Sequence, residues 1–264
     1  MAVSRSSVLF TLALVAILIG VPLVLLMREA GRAGQSVGEY LDTLLGGEGE
    51  PVSDTPEASP VGATIRFLER TPIGDSVGNT QPWITNLTLV DLDGDGLKDV
   101  VLCDAKLNQI RWIRQHPVGA YRERSIGSLV IAPAHVASSD VDGDGDLDLL
   151  VAEMGMINPN NDKIGAVVIL ENDGNGQFTN RILAENIARV TDVEGGDFDA
   201  DGDIDLVVGQ FGYDDGEIRW MENKGNWRFE SHGLLNLSGT IHTPVADMDG
   251  DGDLDIVAVV AQEW

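Results

Sequence analysis

The sequence contains one cysteine, Cys103, among its 264 residues. A single cysteine excludes an internal disulfide, zinc sites built from several thiolates, and the CxxCH motif of attached haem. Stability must therefore come from packing or from ions held by oxygen ligands. Cys103 itself follows an aliphatic run and is interpreted as a small core residue.

Basic residues are also scarce, because 17 Lys and Arg stand against 43 Asp and Glu, which gives a formal net charge of −26. A nucleic-acid-binding surface needs clustered Lys and Arg, so nucleic acid is excluded as a partner. Aromatic residues make up only 5% of the chain, but 43% of the residues are hydrophobic. The chain can therefore build an aliphatic core.

The N-terminal region reads as a membrane anchor. Residues 8–27 carry no charge, and about twenty apolar residues suffice to cross a bilayer as a helix. Flanking charges favour a cytoplasmic N-terminus at residues 1–7, which predicts a single-pass protein whose remainder faces the periplasm or the cell surface. The alternative is a cleaved signal peptide, with Gly31 and Ala33 before the cut, which would make the protein secreted.

Residues 28–62 are rich in Gly, Ser, Pro and acids, and we interpret them as a solvated spacer. Residues 63–264 then contain four acidic nonamers: DLDGDGLKD from Asp91, DVDGDGDLD from Asp140, DFDADGDID from Asp197 and DMDGDGDLD from Asp247. Each is followed by a short aliphatic run that is typical of a buried strand. Four strands for each unit of roughly 50 residues predict an all-β fold, a β-propeller of about four antiparallel four-stranded blades.

The two ends of the repeat array indicate whether the repeats form a closed propeller. Residues 64–72 are predicted to form an isolated outer strand, and the fourth unit stops after its second strand. This pattern favours an array shorter than a natural propeller, and a closed four-bladed form with irregular closure is the alternative.

The nonamers predict calcium sites. Carboxylates occupy positions 1, 3, 5 and 9, and a glycine at position 6 allows the sharp turn that brings them together. The carbonyl at position 7 is predicted to complete a shell of the hard oxygen ligands that Ca²⁺ prefers, about four ions in all. The predicted ligands are Asp91, Asp93, Asp95, Leu97 and Asp99; Asp140, Asp142, Asp144, Asp146 and Asp148; Asp197, Asp199, Asp201, Asp203 and Asp205; Asp247, Asp249, Asp251, Asp253 and Asp255.

Two alternatives to this interpretation are weaker. Soluble acidic turns would not be expected four times in one register, each leading into a strand. An EF-hand loop begins in the same way but needs a bidentate Glu at position 12, where Leu102, Val151, Val208 and Ala258 stand.

These DxDGDGxxD loops within units of about 50 residues resemble the FG-GAP or VCBS repeats of integrin-α-like propellers and bacterial surface proteins. The resemblance covers residues 64–264, and the Phe-Gly-Gly-Ala-Pro signature is kept only in part, at Gln210, Phe211 and Gly212. It implies that each loop joins the first and second strands of a blade and that the propeller binds calcium and a partner.

A second group of polar residues lies in the apolar strands around the nonamers. Pairs five residues before and after each nonamer are expected to face each other, away from the calcium loops, and to form a ligand-binding ring. The alternative is that they merely end the strands in solvent. The ring residues are Asn86, Asp104, His135, Glu153, Asp192, Gln210 and His242.

The sequence shows no nucleophile and base in a strong motif, no phosphate-binding loop and no catalytic zinc signature. The leading hypothesis is a membrane-anchored, extracytoplasmic, calcium-stabilised propeller that binds a protein or a glycan. The first alternative is the propeller portion of a hydrolase or lyase, or a scaffold for a catalytic domain beyond residue 264. The second is a structural spacer within an envelope complex.

Overall fold

The computed structural model describes residues 69–73, 81–158 and 161–261. The chain divides into two units, Met1–Glu69 and Arg70–Trp264, and the description below concerns the second. The predicted anchor at 8–27 and the spacer at 28–62 lie outside the described residues. Within the described ranges, no helix has the length and apolar character needed to span a bilayer.

Three antiparallel four-stranded sheets form most of the second unit, and within each sheet the strands are neighbours in chain order. The first sheet contains β1 (Ile84–Val90), β2 (Asp99–Asp104), β3 (Gln109–Gln115) and β4 (Tyr121–Ile126). The second contains β5 (Pro133–Ser139), β6 (Asp148–Glu153), β7 (Gly165–Asn172) and β8 (Phe178–Ile187). The third contains β9 (Arg189–Gly196), β10 (Asp205–Phe211), β11 (Glu217–Asn223) and β12 (Phe229–Asn236). The prediction of an all-β fold of four-stranded repeats is confirmed.

A fourth unit follows as two short strand pairs. β13 (Thr240–His242) pairs with β16 (Val259–Val260), and β14 (Val245–Ala246) pairs with β15 (Asp255–Ile256). Together they form one hairpin that is interrupted near Pro244, which has no backbone N–H to donate. The predicted outer strand at 64–72 is wrong for residues 69–72, which are not in a strand, and its remainder lies outside the described residues.

The sheets pack face to face through the apolar side chains of their first three strands. In β6, Leu149 and Val151 belong to the core shared with the first sheet, whereas Leu150 and Ala152 belong to the core shared with the third. Side chains alternate between the two faces of a strand, so an unbroken aliphatic run is what a strand buried on both faces requires. Cys103 is fully buried in the first of these cores, as expected.

The two ends of the array differ from its centre. In β1, Leu87 is 54% exposed and Leu89 is 63% exposed, although the equivalent Val136 of β5 is 1% exposed. In the fourth unit, Val257 and Val259 are also exposed. Among the described residues, nothing therefore covers the outer apolar face at either end.

The first strands lie side by side, since β1 contacts β5, β5 contacts β9 and β9 contacts β13. Each of them contains a register shift at the same place, which leaves Thr85, Ala134, Thr191 and Ile241 without a partner in the second strand. Such bulges redirect the side chains that follow them.

Because of this repeated bulge, the predicted pairs of ring residues do not face each other. Each first-strand residue faces the residue one position before its predicted partner, and each second-strand residue faces the residue two positions before its own. Asp104 and Glu153 face Ile84 and Pro133, and Gln210 faces Val190. The residues after the bulge face other partners than predicted: Asn86 faces Cys103, His135 faces Ala152, Asp192 faces Gly209 and His242 faces Val259.

Candidate functional site

The acidic nonamers form four loops with the same internal hydrogen bonds, and the first three join the first and second strands of their sheets. The carboxylate at position 1 accepts a bond from the glycine N–H at position 6 in every copy, for example Asp91 Oδ2 from Gly96 at 2.8 Å and Asp247 Oδ2 from Gly252 at 3.1 Å. Gly96 has φ +85° and Gly252 has φ +100°, a conformation that glycine adopts without strain.

The loop carboxylates converge, as a cation site requires. One oxygen from each of Asp91, Asp93 and Asp95, at positions 1, 3 and 5, lies within 4.8 Å of the others, whereas the second loop brings together Asp140, Asp142 and Asp148, at positions 1, 3 and 9. Asp197, Asp199 and Asp205 form a third group. Asp91 Oδ1 is buried without a hydrogen-bond partner. This donor set of carboxylate oxygens fits a hard cation such as Ca²⁺.

In the first three loops, the aspartate at position 9 connects the loop to its sheet. Asp205 Oδ2 accepts bonds from Trp220 Nε1 at 3.0 Å and from Phe198 N at 3.3 Å, and Asp205 Oδ1 accepts from Asn223 N at 2.7 Å. Asp99 has the same three kinds of donor, including Trp112 Nε1 at 2.9 Å. This position therefore has a structural role beside any role as a metal ligand.

The first loop differs from the next two because Arg114 and His116 already contact its carboxylates. Arg114 Nε contacts Asp93 Oδ2, and His116 Nδ1 lies 2.8 Å from Asp95 Oδ2. The hydrogen bond from His116 holds the pKa of Asp95 below its usual value. At the position of Arg114, β7 and β11 carry Glu171 and Glu222.

A second site lies between the first strands. His135 on β5, Asp192 and Glu194 on β9, and His242 on β13 meet there and are called the inner-strand cluster. His135 Nδ1 lies 2.8 Å from Asp192 Oδ1, and His242 Nδ1 lies 2.6 Å from Asp192 Oδ2. His135 Nε2 lies 3.8 Å from Glu194 Oε1. The cluster joins the second sheet, the third sheet and the fourth unit.

Asp192 is the fixed centre of this cluster because it is completely buried. Its Oδ2 also accepts hydrogen bonds from the backbone N–H of Thr243 and from Thr243 Oγ1, the latter at 3.1 Å. The bulge at Thr191 aims the Asp192 side chain at the neighbouring strand, and Thr191 Oγ1 donates to Thr240 O at 3.0 Å across the same boundary.

The charges of the cluster shift one another's pKa values. Burial alone would raise the pKa of Asp192, but its contact with His135 holds the pKa below the usual value. Burial opposes the charge of His135, yet the hydrogen bond and charge of Asp192 raise its pKa. Burial raises the pKa of Glu194, and the charge of Asp192 adds to that increase. The pKa values of two carboxyl groups on one strand are thus shifted in opposite directions.

The structure brings three of the seven predicted ring residues together, namely His135, Asp192 and His242. The other four have separate contacts. Asn86 Oδ1 accepts from Val136 N at 3.2 Å, Asp104 Oδ1 caps the turn after β2, Glu153 is half-buried on β6, and Gln210 Nε2 donates to Glu217 Oε1 at 3.1 Å.

Glu194 was missed by the sequence reasoning, although it lies two residues after Asp192 and so shares its strand face. An open cavity of about 270 Å³ lies beside the cluster and is lined by Leu87, Thr88, His135, Val136, Ala137, Ser138 and Glu194. The cavity gives a small ligand or an ion access to the cluster.

Comparison with known proteins bears on these loops. The family model described as FG-GAP-like repeat matches residues 91–151, 140–208 and 197–258, which together make up more than half of the chain. The chain belongs to the FG-GAP-like repeat family. Each match begins at the first aspartate of one acidic loop and includes the whole of the next acidic loop. The family assignment therefore rests on the repeated loop and strand unit.

No curated protein matches the sequence. Among 41 matching solved chains is an Agrocybe aegerita lectin, described as recognising non-reducing terminal N-acetylglucosamine. It is 19% identical, with a TM-score of 0.42, and the match covers 66% of this chain and 46% of that one. The chain therefore spans less than half the length of this lectin.

Proposed function

We propose that the chain is a membrane-anchored, extracytoplasmic, calcium-binding β-propeller that acts as a recognition module for a protein or glycan ligand. The main support is the repetition of one acidic loop, with the same hydrogen bonds, at the same place in successive units. A loop kept in this form four times serves the whole array rather than a single reaction.

Calcium in this proposal has a structural role. The carboxylates at positions 1, 3 and 5 would hold the ion with the carbonyl at position 7, and the aspartate at position 9 would close the loop. Without a cation, converging carboxylates repel one another. For a site with a Kd of about 0.1 mM, roughly 2 mM calcium adds about 1.8 kcal/mol to the free energy of unfolding.

Recognition is assigned to the cavity beside the inner-strand cluster. The surface of this cavity is mainly polar, and Thr88, His135 and Glu194 supply polar groups to it. A few convergent polar groups fix the orientation of a bound ligand. The ligand enters from the open side of the cavity.

A calcium titration of the full-length chain in mild detergent tests the proposed structural role of calcium. Chelation is expected to lower the melting temperature, and calcium is expected to restore it, as measured by circular dichroism. An unchanged melting curve under both conditions would contradict the proposal.

Matched serine variants test the recognition part. Ser138 lines the cavity and is half-buried, whereas Ser128 is exposed and does not line it. Ser138→Arg is expected to abolish binding to glycan arrays or purified surface proteins, and Ser128→Arg, which adds the same charge, is expected to retain it. Both should melt like the wild type in calcium. Equal binding by the two variants would exclude this cavity as the recognition site.

A hydrolase is the second candidate function, and one observation favours it. Asp192 and Glu194 have pKa values shifted in opposite directions within one cluster, a pattern that general acid and base pairs use. A hydrolase should turn over a member of a polysaccharide or phosphoester panel and lose that turnover in Glu194→Gln. A binding module should retain its ligand without turnover.

A further inference from the structure

The inner-strand cluster combines two histidines with two carboxylates. One ligand atom from each of His135, Asp192, Glu194 and His242 lies within 4.8 Å of all the others. We propose that this cluster is a binding site for one divalent transition-metal ion, of which Zn²⁺ is the representative, and that it is separate from the acidic loops.

An unsatisfied buried group points to such an ion. Asp192 is fully buried, and its Oδ1 has no well-oriented hydrogen bond among the described residues. The same holds for His135 Nδ1, although the two atoms approach to 2.8 Å. Buried polar atoms normally have partners, and a carboxylate oxygen and an imidazole nitrogen that face each other without a good hydrogen bond are both suited to bind a cation.

The donor chemistry separates this site from the acidic loops. Imidazole nitrogen together with carboxylate oxygen suits Zn²⁺, Co²⁺ and Cu²⁺, whereas Ca²⁺ and Mg²⁺ take oxygen ligands. Four protein ligands are also the number found in closed structural zinc sites. The loops supply oxygen alone, so the two kinds of site should select different ions.

The surroundings hold the donors in place. Asp192 Oδ2 is fixed by Thr243 and by His242 Nδ1, and the rings of His135 and His242 lie with their centroids 5.3 Å apart. Hydrogen bonds of this kind orient histidine ligands and fix which ring nitrogen is free. The cavity that His135 and Glu194 line provides the path of entry.

The position of the cluster indicates what a bound ion would do. His135 belongs to the second sheet, Asp192 and Glu194 belong to the third, and His242 belongs to the fourth unit. An ion bound by all of them would connect three units whose first strands lie side by side. The fourth unit, whose strands are the shortest, would gain the most from this connection.

The first test is metal binding by the full-length chain in mild detergent, with millimolar calcium present to saturate the acidic loops. Equilibrium dialysis is expected to show one Zn²⁺ bound per chain. His135→Gln and His242→Gln are each expected to lower the zinc affinity by at least about 10- to 100-fold, the loss that follows mutation of a residue that only supports a metal ligand. The matched control is His232→Gln, since His232 lies with Glu222 and Glu230 in a separate group of possible ligands outside the inner-strand cluster. Retained zinc in both cluster variants, or loss only in His232→Gln, would overturn the proposal.

A second measurement needs only the wild-type protein, so a folding defect in a variant cannot obscure the result. Cu²⁺ added at one equivalent in calcium buffer is expected to give an electron paramagnetic resonance spectrum with nitrogen coupling from two imidazoles. A spectrum with oxygen ligands alone would mean that the ion sits in the acidic loops, and it would overturn the assignment. Loss of calcium-dependent melting with nitrogen coupling retained would contradict the calcium proposal and leave the transition-metal site intact.

Discussion

Asn223 Nδ2 donates a hydrogen bond of 3.2 Å to the backbone carbonyl of Val141, which lies in the acidic loop of the preceding sheet. Asn172 makes the equivalent bond of 3.4 Å to Leu92. Val141 N donates to Asp148, and Asn223 N donates to Asp205, so the closing aspartates of neighbouring loops are joined by a continuous series of hydrogen bonds. The geometry of one loop is thereby tied to that of the next.

Asn223→Ala tests this connection between sheets. The variant leaves the carbonyls of Val141 and Ile204 without their amide donor. Because both bonds are at least partly buried, the free energy of unfolding is expected to fall by about 1–3 kcal/mol in urea titrations. Gln115→Ala is the control, since the Gln115 amide donates only to Lys98 within its own sheet and in an exposed position. An equal loss in the two variants would show that the bond between sheets adds nothing.

Asp205→Asn and Asp201→Asn should separate structure from ion binding. Asp205 is buried and accepts bonds at both oxygens, so the asparagine loses an acceptor, and calcium-free stability should fall by about 1–3 kcal/mol. Asp201 is exposed, and its Oδ1 accepts only from Asp203 N within the loop. Asp201→Asn should therefore preserve calcium-free stability and reduce the increase in melting temperature that calcium gives. A loss of calcium-free stability in Asp201→Asn but not in Asp205→Asn would contradict this assignment of a structural role to Asp205 and of ion binding to Asp201.

The strands and loops could be predicted because their signals are local. Each acidic nonamer and the aliphatic run after it are contiguous, and the run in β6 is buried on both faces, as such a run requires. The bulge in the first strands has no such signal. Thr85, for example, donates from its Oγ1 to Pro133 O at 2.6 Å, a contact with another sheet that no pattern near Thr85 indicates.

The composition of the inner-strand cluster was predictable only in part for the same reason. His135, Asp192 and His242 stand at equivalent places before successive nonamers, so the repeat identified them. Glu194 has no equivalent acid in the other units, where Thr88, Ala137 and Pro244 stand, so the repeat could not identify it. Arg114 follows Asp93 by 21 residues in the sequence. Its contact with the first loop depends on how β3 pairs with β2, and only the folded structure shows that register.

Arg114 should make the first loop the weakest calcium site. Its guanidinium contacts Asp93 and lies 3.7 Å from Asp95, so it competes with a bound cation for the same carboxylates. Arg114→Gln removes this competition and is expected to raise the calcium affinity of the first loop about two- to fivefold, as an exposed ion pair contributes up to about 1 kcal/mol. The amide resonance of Gly96, which bonds to Asp91, reports this loop during an NMR titration.

Arg122→Gln is the control for that titration. Arg122 is exposed on β4 directly opposite Arg114, so the variant makes the same change in charge one strand farther from the loop. Its effect on the Gly96 titration should be smaller than that of Arg114→Gln. If the two variants shift the midpoint equally, the net charge and not the contact with Asp93 sets the affinity.

Glu153 should make stability depend on pH. Burial raises its pKa, while a backbone hydrogen bond from Ile131 opposes that shift. The folded state then binds the proton more tightly than the unfolded state, so this residue's contribution to stability is lost as pH rises from the unfolded pKa of about 4.3 through the folded pKa. The cost of the buried charge remains at pH 7.

Glu153→Gln keeps the acceptor for Ile131 and removes the charge, so it should be more stable than the wild type at pH 7. This advantage should shrink as the pH falls towards 4, where the wild-type carboxyl gains its proton. Urea unfolding of both proteins across this range measures the difference, and titration of the acidic loops cancels because both proteins share it. Glu185→Gln makes the same change at an exposed position of β8 and should give no such advantage. A Glu153→Gln advantage that is absent at pH 7, or that grows on acidification, would show that the buried charge carries no cost.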